Sequence, residues 1–190
     1  MSAYEIIYEK IKKDLKISMT SRRYMHTLGV VQVAEELANI NNVEIDKVRL
    51  AAIAHDVAKE WSYEEIEEFC KENNLDFSYL EGFKNVLHSH LGAEVIKNWY
   101  DVKDEDILNA IKYHTTGRAA MSTLEKIIYL ADFLDPGRDV EKYKENFEKA
   151  KMYSYENLDK GMSFVLERTL IYLGDKAVYE DTKKAYEYYK

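Results

Sequence analysis

Apolar residues recur at the three- and four-residue spacing of an α-helix along almost the whole chain, and strand-like alternation is scarce. In the first segment Ile7, Ile11 and Leu15 fall four residues apart. They therefore share one face of an amphipathic helix. The same spacing continues to the last residues, and it predicts an all-α protein.

Capping residues and helix breakers mark the ends of the predicted helices. Ser62 followed by Glu65, and Ser122 followed by Glu125, match the capping box, in which two side chains satisfy free N–H groups of the first turn. The run Asp135-Pro136-Gly137 stops the helix before it, because proline cannot continue a helix. After the first helix, the predicted helices cover about 21–40, 46–59, 62–74, 83–97, 104–113, 122–134, 141–151 and 155–173, with a short helix after Asp181.

The length and composition indicate one domain. A chain of 190 residues has the usual size of a single domain, and no repeat or low-complexity linker interrupts it. Seven glycines and one proline are too few for a fold built from many tight β-turns. We therefore expect a single all-α domain over 1–190, with a helical C-terminal segment from about 155 packing on the core.

Charge, apolar stretches and cysteine content exclude several classes of protein. No apolar stretch approaches the 20 or so residues of a membrane span, and the N-terminus lacks a signal-peptide core, so we expect a cytoplasmic protein without a membrane partner. With 27 basic and 35 acidic residues the net charge is −8, and no basic tract predicts nucleic-acid binding. The single cysteine means that any metal must be held by histidines and carboxylates.

Two acidic residues interrupt strongly apolar helical runs. Asp56 follows His55 in AAIAHDVAK, and Asp132 lies within IIYLADFL. A buried carboxylate is costly unless it has a positive partner. Lys59, one helical turn after this pair, could form a plain ion pair with Asp56 or stabilise a bound phosphate, and the sequence leaves both open.

Histidines at helical positions offer a different partner for these acids. His26 lies on a helix whose apolar side faces the core. Imidazole and carboxylate together suit divalent first-row metals, and one ion would satisfy His26, His55, Asp56 and Asp132 with room for water or substrate. Asp56 and Asp132 are therefore the candidate catalytic carboxylates.

Three further histidines have different expected roles. His88 and His114 lie near helix ends and would complete a second ion bridged by Asp56, or would hydrogen-bond a substrate phosphate; both alternatives stay open. His90 is two residues from His88, about 200° around a helix, so both cannot point into one site. We expect His90 to be a surface or structural residue.

Basic residues near these histidines are candidates for phosphate binding. Arg23 lies three residues before His26, on the same helix face. Arg118 ends the segment HTTGR, which resembles a phosphate-facing turn but also a helix end with a solvated arginine. Arg138 follows the Pro136-Gly137 break and could reach back over the site.

The ordered set of His26, His55-Asp56 and Asp132 resembles the HD-domain phosphohydrolase superfamily. Over about residues 4–189 the chain looks like the YqeK-type bacterial HD hydrolases, which are symmetrical dinucleoside tetraphosphatases. The segments that carry the resemblance are RRYMHTLGVVQVAEELA, AAIAHDVAKE, VLHSHLGAEVI, DILNAIKYHTTGR, MSTLEKIIYLADFLDPGRD and TLIYLGDKAVYEDTKKAYEYY. One departure is His90, where many relatives have proline.

The resemblance implies an all-helical HD-domain bundle and cleavage of diadenosine tetraphosphate into two ADP by a metal-activated water. It also implies an iron-type centre of one or two ions, with Mn or Co as substitutes, and nucleotide contacts from Arg23, Thr115 and Arg138. His88 and His114 match further site histidines. Guanine nucleotides, with GDP as product, and a homodimer are left open.

Three other functions compete with this interpretation. One is another HD-type reaction, such as dephosphorylation of nucleoside monophosphates. A second is a non-catalytic nucleotide sensor, against which the intact ligand set argues. The third is a helical interaction module, in which four ligand-type residues would be buried without partners.

Overall fold

The computed structural model describes residues 2–137 and 144–190, and within these ranges it contains ten α-helices and no β-strand. The predicted all-α fold is confirmed. A short 3-10 helix spans Ser78–Leu80. The α-helices are α1 (Ala3–Ser18), α2 (Ser21–Asn41), α3 (Ile45–Ala54), α4 (Tyr63–Asn73), α5 (Lys84–Tyr100), α6 (Glu105–Tyr113), α7 (Thr123–Phe133), α8 (Lys144–Glu156), α9 (Leu158–Leu173) and α10 (Glu180–Tyr189).

Local capping explains where most helices begin. Both predicted capping boxes form, Ser62 with Glu65 at α4 and Ser122 with Glu125 at α7. Thr20 caps α2 by accepting a hydrogen bond from the backbone N–H of Arg23. Because such contacts lie within three residues, they follow directly from the local sequence.

Two predicted boundaries are wrong. The helix expected from about residue 155 begins at Leu158, because the Asn157 side chain accepts hydrogen bonds from the N–H groups of Asp159 and Lys160 and so starts a new helix. The helix expected to end near Lys59 ends at Ala54. The first residues of the helix expected over 141–151 lie outside the described residues.

The early end of α3 has a local cause. Nδ1 of His55 donates a hydrogen bond to the Ala52 carbonyl at 2.7 Å. The imidazole therefore uses a carbonyl that would accept a backbone N–H if the helix continued. The following N–H groups bond three residues back, from Val57 to Ala54 and from Lys59 to Asp56. His55 and Asp56 therefore lie at and just beyond the helix end, where their side chains turn toward other helices.

The core joins four helices around one buried centre. α2 packs against α3 and α7, α6 packs against α3 and α7, and α3 also contacts α7. Ala51, Ile53, Ile111, Ile127 and Leu130 are fully buried between them. The ends of these helices therefore meet in the interior of a single domain.

The remaining helices cover this centre. α1 packs on α3, and α5 packs on α6. α9 packs on α7 and also contacts α8 and α10. No helix in the described part of the chain is both long and apolar enough to cross a membrane.

His90 is a structural residue of α5 and is not at the surface. Only 4% of it is exposed, and it lies against the rings of Tyr79, Tyr113 and Tyr179. Tyr79 donates its hydroxyl proton to Nδ1 at 3.0 Å. Burial, with Lys112 nearby, lowers the pKa of His90 to about 4, so the folded protein holds the ring neutral.

The buried His90 predicts acid lability. Its pKa is about 4 when folded and about 6.5 when unfolded, so between these values only the unfolded chain takes up the proton and stability falls as the pH falls. Replacing His90→Leu should therefore reduce the loss of unfolding free energy between pH 7 and pH 5 by about 2 kcal/mol. Urea unfolding at both pH values measures this difference. Tyr79→Phe removes a hydroxyl that does not titrate between pH 5 and pH 7, so this variant should lose as much unfolding free energy over that range as the wild type. An equal loss in all three proteins would contradict the assignment.

Candidate metal centre

The carboxylate of Asp56 lies at the centre of a histidine cluster. Asp56 is only 3% exposed. Its Oδ1 lies 3.2 Å from His88 Nε2 and 3.5 Å from His114 Nε2. Its Oδ2 lies 3.5 Å from His55 Nε2 and 3.7 Å from His26 Nε2. Each of the four imidazoles therefore faces the same carboxylate through Nε2.

These side chains form two groups with the spacing of metal ligands. His26, His55 and Asp56 make one group, and Asp56, His88 and His114 make the other. Within each group the potential ligand atoms lie within 4.8 Å of one another. Asp56 belongs to both groups, so its carboxylate could bridge two ions or bind a single ion.

Two of the histidines are held in the same way at helix ends. His55 follows α3 and His114 follows α6, and in each case Nδ1 lies 2.7 Å from the carbonyl three residues earlier. A carbonyl can only accept, so Nδ1 carries the proton and Nε2 keeps its lone pair. Nε2 of His55 is buried and has no hydrogen-bond partner among the described residues. Such a lone pair is a ready metal ligand.

His26 is oriented by a carboxylate instead of a carbonyl. Its Nδ1 lies 2.7 Å from Oδ2 of the buried Asp135, in the turn after α7. Its Nε2 lies 3.3 Å from Asp132 Oδ1 and is another buried atom without a hydrogen bond in the described structure. The α7 acid Asp132 thus completes the predicted group of four at the side of His26.

The electrostatics of the cluster follow from burial and close contact. Burial alone would raise the pKa of Asp56, but His55, His114 and His88 hold it well below its usual range, so the carboxylate is ionised. Burial lowers the pKa of His88 to about 4. The charge of Lys59 lowers this pKa further, and the contact with Asp56 offsets part of the shift. For His26, the contacts with Asp132 and Asp135 outweigh burial and raise the pKa to about 9.

Two basic side chains lie beside the carboxylate and histidines. Nη1 of Arg23 donates to Asp56 Oδ2 at 2.8 Å, so the predicted arginine on α2 does reach the site. Nζ of Lys59 lies 3.1 Å from His88 Nε2. Thr115, another predicted contact residue, places Oγ1 3.2 Å from the same nitrogen and 3.1 Å from His114 Nε2. Positive and hydroxyl groups therefore adjoin the cluster on its open side.

A cavity of about 330 Å³ opens from this cluster. One part of its wall is polar, and the other is made by apolar and hydroxyl side chains of α7 and α9. The lining residues are Arg23, Asp56, Lys59, His114, Thr115, Tyr129, Asp132, Phe133, Val165 and Thr169. The cavity therefore joins ionised and apolar surfaces, as a nucleotide site requires.

The structure brings most of the predicted site residues together, but Arg118 has a different partner. Its Nε and Nη2 donate to the two oxygens of the buried Glu125 at 2.8 and 3.0 Å, and its guanidinium lies over the Tyr113 ring. This pair ties the HTTGR segment to the capping box of α7. Arg138 lies outside the described residues.

Sequence reasoning missed Asp135 and the wall of the cavity formed by α9. The sequence indicates Asp135 only as part of a helix stop, although its position three residues after Asp132 is the spacing of one helix face. Val165 and Thr169 share a face of α9 at a spacing of four. The threonine on that otherwise apolar face is the signal that could have indicated a cavity wall.

The donor set fits a divalent cation. Imidazole Nε2 atoms and an ionised carboxylate are typical ligands of first-row metals. The buried Nε2 atoms of His26 and His55 make no hydrogen bond in the described structure, and a cation would satisfy both. The residues that would hold it are His26, His55, Asp56 and Asp132, with His88 and His114 on the other side of Asp56.

Comparison with known proteins gives a consistent set of matches. The profile of the HD domain family matches residues 23–137. The symmetrical bis(5'-nucleosyl)-tetraphosphatase of Staphylococcus aureus is 33% identical over 95% of this chain and 93% of its own. The protein of the same name from Halalkalibacterium halodurans is 35% identical over 90% of this chain and 91% of its own.

A solved structure agrees with these matches. The crystal structure of a "predicted HD superfamily hydrolase involved in NAD metabolism" from Clostridium acetobutylicum superposes with a TM-score of 0.86. It is 34% identical and covers 96% of each chain. The segment matched by the family profile contains every residue of the histidine and aspartate cluster.

The shared position of Asp56 predicts how metal binding depends on it. Asp56→Asn keeps the shape of the side chain but removes the charge that both groups use, so affinity for Mn²⁺ should fall by about 100-fold or more. Competition titration against a chromophoric chelator measures this loss. His90→Gln, a buried histidine outside both groups, is the matched control and should bind as the wild type does. Unchanged affinity in Asp56→Asn would contradict the placement of the centre.

Proposed function

The chain belongs to the HD domain family, and from this premise we propose that it hydrolyses diadenosine tetraphosphate and related dinucleoside tetraphosphates symmetrically. The observation that carries the proposal is the ionised, buried Asp56 among four histidines at the base of a cavity lined by Arg23 and Lys59. The names of the relatives that match nearly the whole chain support the choice of substrate. The reaction gives two nucleoside diphosphates, ADP or GDP according to the base.

The proposed cofactor is iron, as one or two divalent ions, with Mn or Co as substitutes. His26, His55, Asp56 and Asp132 hold the principal ion in this proposal, and His88 and His114 either bind a second ion or contact phosphate. A divalent ion at this place supplies Lewis acidity, which lowers the pKa of water and offsets the charge of phosphoryl oxygens. The buried Nε2 atoms of His26 and His55, which make no hydrogen bond in the described structure, support this assignment.

The basic side chains bind the polyphosphate. The chain carries a net charge of −8, so attraction of a polyanion must come from local charges. Arg23 presents a guanidinium, which matches phosphate oxygens in pairs, and Lys59 presents a compact ammonium charge. Thr115 adds a hydroxyl donor. The contact of Arg23 with Asp56 supports a role for this guanidinium beside the reacting phosphate.

The remaining side chains direct attack by water. In this proposal one oxygen of the Asp132 carboxylate binds the ion and the other accepts a proton from the attacking water, and the 24% exposure of this side chain at the cavity supports that role. The oxygen of that water forms a bond to the second phosphorus, and the bond from this phosphorus to the central bridging oxygen breaks. Lys59 stabilises the negative charge of the departing diphosphate. Arg138 would assist it, whereas Arg118 is paired with the buried Glu125.

The apolar wall receives the nucleoside. Phe133 contributes a flat aromatic surface to this wall, and Val165 contributes an aliphatic one. Thr169 adds a hydroxyl, which donates a hydrogen bond to the Val165 carbonyl. A cavity with phosphate-binding groups on one wall and apolar groups on the other orders a nucleotide in one direction. The cytoplasmic location, the homodimer and the domain limits of 1–190 stay predictions.

The products test the reaction directly. Chelator-treated protein is reloaded anaerobically with Fe²⁺, Mn²⁺, Co²⁺ or Zn²⁺ separately, and the products from diadenosine tetraphosphate are separated by chromatography. We expect ADP as the nucleotide product. AMP together with ATP would mean attack at another phosphorus. Hydrolysis of nucleoside monophosphates instead would favour a nucleotidase, and tight ADP binding without turnover would favour a sensor.

Neighbouring arginines provide a matched pair for the phosphate contact. Arg23→Gln should lower kcat/KM by about 100-fold, because it removes a charged donor beside the reacting phosphate. Arg22, one residue earlier, is exposed, and Arg22→Gln should leave kcat/KM within about twofold of the wild type. Steady-state kinetics at equal metal content measure both values. Equal effects of the two substitutions would contradict the assigned role of Arg23.

A further inference from the structure

The contact between His26 and Asp135 differs from the hydrogen bonds that hold the other histidines. His55 and His114 donate to carbonyls three residues back in their own helices. His26 lies within α2 and donates instead to a carboxylate 109 residues away in sequence. Asp135 is 2% exposed, so its carboxylate is buried in the protein interior.

Each oxygen of Asp135 has a distinct partner. Oδ2 lies 2.7 Å from His26 Nδ1. Oδ1 accepts the backbone N–H of Gly137 at 3.0 Å, which fixes the turn after α7. The carboxylate is therefore held by its own turn and points at the ring of His26, so it limits the rotation of that ring.

A glycine on α2 leaves the space that this carboxylate occupies. Gly29 lies three residues after His26, on the same face of the helix. A Cβ at Gly29 would lie 2.2 Å from Asp135 Oδ1 and 3.3 Å from its Cγ, far inside van der Waals contact. Glycine lowers the stability of a helix interior relative to alanine. Its presence in the middle of α2 is explained by the approach of Asp135.

We propose that Asp135 is a positioning residue, which keeps the proton of His26 on Nδ1 and aims Nε2 at the metal centre, and that Gly29 provides the space for it. The proposal rests on the metal centre of the proposed function. Carboxylates that accept a hydrogen bond from a metal-binding imidazole orient the ring and raise its basicity. Asp135 touches neither substrate nor the reacting atoms in this scheme.

The experiment measures Mn²⁺ affinity without substrate, by competition with a chromophoric chelator. Asp135→Asn retains the size of the side chain but cannot accept from both His26 and Gly137, and Gly29→Ala displaces the carboxylate without altering it. Each substitution should weaken Mn²⁺ binding by about 10- to 100-fold. Asp104→Asn, which removes a carboxylate paired with Lys47 away from this centre, is the control and should bind Mn²⁺ normally.

A double-mutant cycle separates positioning from general damage. Asp135→Ala empties the space that a Cβ at Gly29 would enter, so Gly29→Ala should weaken Mn²⁺ binding in the wild type but cause no further loss in Asp135→Ala. The same titrations, repeated at several pH values, give the pH profile of Mn²⁺ affinity. This profile should change in Asp135→Asn and remain that of the wild type in Asp104→Asn. Asp135→Asn keeps the test valid if Gly29→Ala does not fold.

The outcomes distinguish this proposal from the one on which it rests. If the wild type fails to bind Mn²⁺ or any other divalent ion tested, the metal centre itself is wrong. If the wild type binds and Asp135→Asn binds equally well, only the positioning role is overturned. Additive losses in the cycle, or an equal loss in Asp104→Asn, would also overturn it.

Discussion

The burial of the Asp56 charge is the constraint on which the rest of the molecule depends. An ionised carboxylate that is 3% exposed must be compensated by positive or hydrogen-bonding groups. Four imidazoles and the guanidinium of Arg23 perform this function, and they come from α2, the end of α3, α5 and the end of α6. The four-helix core is the arrangement that brings these positions to one point.

The backbone fixes the chemistry of the cluster as well as its position. Because His55 and His114 donate Nδ1 to carbonyls at helix ends, their Nε2 atoms face Asp56 with lone pairs available. His26 obtains the same orientation from Asp135. The fold therefore sets the tautomer of His55 and His114 and the orientation of the His26 ring before a cation binds, and preorganisation of this kind reduces the cost of assembling a site.

Features that depend on neighbours in sequence could be predicted, and features that depend on distant partners could not. Helical spacing and both capping boxes involve residues within four positions, and Asp56 in an apolar run signals a buried charge by itself. The end of α3 was missed because it depends on the imidazole of His55 competing for a carbonyl. The contacts of Arg118 with Glu125 and of Asp135 with α2 join elements whose approach only the packed core determines.

The central claim is that this cluster holds the cation on which hydrolysis depends. Crystals grown with Mn²⁺, with diffraction data collected at the manganese absorption edge, would locate the ion by its anomalous scattering. The account predicts an anomalous peak within coordination distance, about 2.0–2.3 Å, of Nε2 of His26 and His55 and of the carboxylates of Asp56 and Asp132. A peak bound elsewhere, with this cluster free of metal, would contradict it.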